Sequence, residues 1–180
     1  QNTTGTAANV TGTVAIANGG TGLTSPGTAG NYLRSDGINL VSSPIVTAQA
    51  TPTNPTSTNS TSGVMMGLSG SITPLRSGKI MIIISGDLKN ANTSNSNFGA
   101  KVQIRYGTGS APANAGSLIG TPAGASPSVV NGGISGGNGS PVFVSGTSPF
   151  STNAIVTGLI LNTPVWIDLS LTAINGGTAS

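Results

Sequence analysis

Apolar residues fall into two regimes along the chain. From Gln1 to about Pro44 they come singly, as Val10, Val14, Ile16, Leu23, Leu33, Ile38, Leu40 and Val41, spaced by Gly, Thr, Asn and Ala. So thin a distribution cannot bury an independent core. The segment is expected to be extended and to order when copies of the chain wind about one axis, where each sparse apolar side chain meets its symmetry mates. A flexible linker is the plainer reading of the same composition.

Residues Thr51 to Ser62, TPTNPTSTNSTS, hold two prolines and no apolar side chain, which predicts a loop or hinge. The expected organisation is an extended stalk or anchoring segment over 1–45, a linker over 46–62 and a head over 63–180. Within the head, apolar runs recur at short intervals: Val64 to Leu68, Ile80 to Leu88, Val102 to Tyr106, Val142 to Val144, Ala154 to Ile160 and Val165 to Ile174. Gly, Pro and Asn clusters separate them, the spacing of an antiparallel sandwich or barrel. No segment has helical periodicity, so an all-β fold is expected.

The runs differ in pattern. Ile80, Met81, Ile82, Ile83 and Ile84 are consecutive, as in a strand covered on both faces, and predict the central strand. Lys101, Gln103 and Arg105 alternate with Val102, Ile104 and Tyr106, predicting a half-exposed strand. In the last run Val165, Ile167, Leu169, Leu171 and Ala173 make one face and Trp166, Asp168, Ser170 and Thr172 the other. On that polar face Trp166 is expected to cover an edge or meet a neighbouring subunit, and Asp168 to be solvated or interfacial near a basic side chain. Gly107 to Ser140 predicts long loops with a short strand near Ser128 to Val130. The ending NGGTAS gives a hairpin turn signal, for which a returning strand is expected beyond the given sequence.

Composition narrows the function. Only 5% of residues are charged, with 28 Gly and 11 Pro. A surface of hydroxyls and amides lacks the usual protection against self-association, which fits a protein that assembles with its own copies. The six basic residues, Arg34, Arg76, Lys79, Lys89, Lys101 and Arg105, form no run, so neither a nucleic-acid partner nor membrane insertion is expected, the longest apolar run being strand-length. With no Cys there is no disulfide framework.

Catalysis has little to work with. The chain has no His, and its three acidic residues are all aspartates, Asp36, Asp87 and Asp168. The usual general base and most metal ligands are missing. A paired-carboxylate site would need Asp87 and Asp168 to meet; the blander placement on separate strand positions is favoured. Arg76-Ser77-Gly78-Lys79 resembles the end of a phosphate loop, but Thr73 and Ile80 break that motif. No catalytic residue, metal ligand or cofactor is expected.

One segment carries a resemblance. Gly12 to Asn39, GTVAIANGGTGLTSPGTAGNYLRSDGIN, resembles a stretch recurring in bacteriophage tail-fibre and related virion proteins, through Gly12, Thr13, Val14, the NGGTG core at 18–22, then Gly30, Asn31, Leu33 and the Ser35-Asp36-Gly37 turn. Where those families commonly place an aromatic after the last turn, this chain has Leu40. From Gly63 onward the chain resembles, more loosely, C-terminal domains of phage structural proteins. The resemblance implies a trimerising jelly-roll-like β-sandwich head on a Gly-rich stalk, at the virion surface, in a tail or head fibre. Its partners would be itself as a homotrimer, other virion proteins and a host-surface glycan. Receptor contacts are then expected on loops, from Tyr106, Asn92, Asn95, Asn114, Asn131 and Asn138. The competing reading is a bacterial surface-filament or matrix subunit that assembles by β-strand complementation.

Overall fold

A computed structural model describes residues 13, 14, 16, 20–51, 55–91, 98–130, 133–135, 141–143 and 147–180. Those residues are almost all strand and loop, and the chain divides into two compact units, Gln1–Thr47 and Ala48–Ser180.

In the first unit, β1 (Tyr32–Ser35) pairs antiparallel with β2 (Leu40–Ser43), with Ser35 opposite Leu40. The intervening turn contains the SDG motif. Asp36 Oδ1 accepts hydrogen bonds from the Ile38 N–H at 2.9 Å and the Asn39 N–H at 2.7 Å, and Gly37 takes φ 100°, a conformation that suits glycine. Upstream, the Gly22 N–H donates to the Val14 carbonyl at 3.1 Å, and a Cβ at Gly20 would run into the Val14 backbone. Gly20 and Gly22 of the NGGTG core are thus where two backbones approach closely.

The second unit contains β3 (Val64–Met65), β4 (Gly70–Ile72), β5 (Ile80–Lys89), β6 (Gly99–Thr108), β7 (Thr121–Ala123), β8 (Ser128–Val130), β9 (Gly133–Ser135), β10 (Pro141–Phe143), β11 (Thr147–Val156) and β12 (Val165–Ile174). One layer is the β5–β11 pair. The other is built on β12, which pairs with β3 and β4 on one side and β6 on the other, β6 in turn holding β7 and β8. β9 and β10 form a separate hairpin. The early strands β3/β4 and β5 are matched with the late strands β12 and β11, one pair in each layer.

The layers meet through alternate side chains: Ile80, Ile82 and Leu88 from β5 and Ala154 and Val156 from β11 pack against Val102, Ile104, Val165, Leu169 and Leu171. Fully burying a Val, Leu or Ile contributes roughly 1.5–3 kcal/mol, so this core holds the second unit together. The core face expected for β12 and the short strand at Ser128–Val130 are found as the sequence predicts.

Two expectations are corrected. β5 is not the central strand: among the described residues it has one strand partner, and its outer side chains Met81 and Ile83 are 66% and 64% exposed. The central strand is β12, flanked on both edges and buried on both faces. Its second face, Trp166, Asp168, Ser170 and Thr172, is buried within its own chain, not presented to solvent. The cause is a cover supplied by distant segments: Trp166 lies against Gly107 and Gly120, Thr172 against Gly63, and Asp168 takes the N–H groups of Gly67 and Leu68.

The expected hinge and the chain's last residues also join the head. Asn175, Gly176 and Gly177 all have positive φ and turn the chain back. Ala179 then exchanges two 2.8 Å hydrogen bonds with Thr58, and Ser180 exchanges two with Lys89. Thr178 to Ser180 thus run back beside Lys89 to Ala91, and Thr58 to Ser60 is strapped to Ala179 and to Ala173.

Candidate functional site

Two concavities lie on the second unit. The larger, about 790 Å³, opens along the edge of β5 away from β11, between β5 and β4. Ala48 to Thr51 and Pro55 close one side, and Phe150, Ile167 and Leu169 line the floor. No strand pairs with that edge of β5 among the described residues, so apart from Lys89, which Ser180 pairs, its outward N–H and C=O groups are open to pairing with another extended chain. The polar side chains here are Gln49, Thr51, Ser69, Ser71, Ser85 and Asp87.

The smaller, about 250 Å³, sits on the outer face of the β6–β12 ladder. Its floor follows from strand alternation and register. Lys101 stands opposite Thr172, and Gln103 opposite Ser170, so the four side chains share one face. Thr61 and Ser62 wall it on the β12 side; Pro122 and Ser126 do so on the β7 side. Arg105 closes one end, its Nη1 donating to the Ile119 carbonyl at 3.1 Å and the Gly120 carbonyl at 2.9 Å, while its buried Nε has no partner. Gln103 is oriented by its amide, whose nitrogen donates to the Ala123 and Gly124 carbonyls at 2.5 and 3.2 Å. Its side-chain oxygen is not used in those bonds.

Asp168, opposite Arg105 in the ladder, does not line this pocket. Its Oδ1 accepts from the Leu68 and Leu169 N–H groups at 2.9 and 2.8 Å, and Oδ2 from the Gly67 N–H at 2.9 Å. Burial pushes its carboxyl above the usual carboxylate range, against the pull of those donors. Asp87 is exposed on β5 and lines the other concavity. The two aspartates sit in different layers, and a dyad is not built. Among the described residues no group of three His, Cys, Asp or Glu side chains comes together.

Of the residues expected to contact a receptor, Tyr106 and Asn114 are described. Tyr106 is half-buried on the core face of β6, packed against the inner cluster. Asn114 lies in the loop after β6, where its side chain binds Thr56 through Nδ2 to Oγ1 at 3.0 Å and accepts from the Thr56 N–H at 3.3 Å. Asn92, Asn95, Asn131 and Asn138 lie outside the described residues. The outer-face pocket was visible in sequence only as the alternation of Lys101, Gln103 and Arg105; nothing local marks Ser170 and Thr172 as its other half. Comparison with protein-family models, with curated proteins and with solved structures returns no match.

Proposed function

We propose that the chain is a structural virion protein of the phage fibre or spike type, assembling as a homotrimer at the particle surface and attaching to a host surface without covalent chemistry. The observation that carries this reading is the strip of Met81, Ile83 and Ile155 on the outer face of β5–β11. Met81 and Ile155 are directly opposite in the ladder, and the three are 66%, 64% and 72% exposed. On a chain with 5% charged residues, such a strip is stabilised by meeting other copies. The resemblance of the 12–39 segment supports the fibre identity, and the close Gly20–Val14 approach suits tightly wound backbones.

Light scattering tests it: a molar mass near three times the 17.4 kDa of one chain is expected, and a monomer sinks it. The unpaired edge of β5 favours a second reading, a surface-filament subunit whose sheet accepts a strand from the next copy. A mass that climbs with concentration without limit would select that reading.

A further inference from the structure

We infer that the outer-face pocket over β6 and β12 binds a carboxylated saccharide, a short stretch of uronic-acid-type polymer, with Lys101 and Arg105 holding its carboxylates. This goes beyond the fibre reading and stands without it, since it requires only the folded second unit.

The first argument is charge. The whole chain has six cationic and three acidic side chains, yet this one pocket holds two of the cations and no carboxylate. The nearest acid in the ladder, Asp168, has both oxygens occupied by backbone N–H groups. Arg105 is anchored through Nη1 alone, leaving the rest of its guanidinium without a partner, including a buried Nε. The accessible N–H groups that those two bonds leave free can reach an anion, and an anchored guanidinium forms charge-assisted bonds with little loss of freedom.

The second argument is spacing. Lys101 and Arg105 are four residues apart on one strand face, about 13 Å along it, which is too wide for one small anion and suits two acidic groups carried on a chain of sugar rings. Beside them the pocket is lined by the exposed Thr61 and Ser62 and by Gln103, whose amide oxygen is not used in the bonds to Ala123 and Gly124, a donor and acceptor set matched to sugar hydroxyls. The pocket has no aromatic stacking platform, so nucleobases are not its natural occupants.

The test is calorimetric titration of the full chain with digalacturonate, with the neutral galactose disaccharide and with inorganic phosphate, at low salt and at about 0.15 M. Binding of digalacturonate that is at least tenfold tighter than either control, and weakened at least fivefold by Lys101→Gln and by Arg105→Lys, is expected. Lys101 is exposed, so its variant folds; Arg105→Lys keeps the charge and loses the fork, and thermal melting verifies its fold. Absence of digalacturonate binding at millimolar concentration overturns the inference. So does equal binding of the neutral sugar, equal binding of phosphate, or an unchanged affinity in Lys101→Gln. None of these outcomes alters the molar mass, so failure here is distinguishable from failure of the fibre reading.

Discussion

Arg105 and Asp168 face each other across the β6–β12 ladder, and each binds backbone groups from a different covering segment in place of the other. Arg105 holds the carbonyls of Ile119 and Gly120, while Asp168 holds the N–H groups of Gly67 and Leu68. The two side chains therefore fasten two loops over the outer face of the central strand. Asp168→Ala would leave these N–H groups without an acceptor, at about 2–4 kcal/mol for buried donors. Asp168→Asn keeps one oxygen for Leu68 and Leu169 and should cost less. Denaturant unfolding of the two variants gives the ordering directly.

The same carboxyl sets a pH dependence. Its folded pKa is raised, chiefly by burial, so the folded state takes up a proton more readily than the unfolded chain. Stability contributed through this group is greatest below the ordinary aspartate value and falls as pH rises through the folded pKa. Melting of the second unit should therefore move upward on acidification through that window, and Asp168→Asn should remove the movement. A melting temperature that falls on acidification in the wild type, with the variant unchanged, would contradict this.

Trp166, the only tryptophan, rests in a slot that two glycines leave open. A Cβ on Gly107 would come within 2.5 Å of the indole, and one on Gly120 would overlap it and the Tyr106 carbonyl, at a backbone φ of +73°. Gly109 has a similar φ of +81° but open space around it. Gly109→Ala should thus cost about 1 kcal/mol from backbone conformation alone, while Gly120→Ala should cost about 2–4 kcal/mol, overpacking being added. Tryptophan emission reports the difference, shifting to longer wavelength in Gly120→Ala and staying put in Gly109→Ala.

This slot shows why part of the fold was legible in the sequence and part was not. The alternation over Val165 to Ile174 places Leu169 and Leu171 in the core, because strand periodicity is local. The burial of Trp166, Asp168, Ser170 and Thr172 depends on Gly63, Gly67, Gly107 and Gly120, brought in from far along the chain, and no local pattern carries that. Ile80 to Ile84 misled in the opposite sense. A continuous apolar run says that both faces avoid water, yet within one chain Ile80, Ile82 and in part Ile84 find the core, while Met81 and Ile83 stay exposed. Likewise Lys101 and Arg105 were visible as an exposed alternation, but their pocket exists only once β6 lies beside β12.

The exposed strip makes a separate prediction. Met81 and Ile155 point away from the core, so Met81→Lys and Ile155→Lys should leave the stability of an isolated chain within about 0.5 kcal/mol of wild type. Placed in an interface between copies, each lysine would meet its symmetry mates as a buried like charge. The double variant is expected to be folded and monomeric by light scattering. An oligomer of undiminished mass would remove the strip from the assembly interface.

Acid should act on the first unit with the opposite sign. The Asn39 and Ile38 N–H groups, in that order of effect, hold the Asp36 carboxyl below its ordinary value of 3.8, with Arg34 adding to them. A depressed folded pKa means that the stability from this group is present above the ordinary value and is lost as pH falls through the folded one. The β1–β2 turn should therefore loosen in strong acid, under conditions where Asp168 favours the fold of the second unit. Amide resonances of Ile38 and Asn39 are expected to titrate together with a midpoint below 3.8, and Asp36→Asn should abolish the titration while keeping one acceptor for the turn. A midpoint above the ordinary value would show that these two hydrogen bonds do not hold the carboxylate.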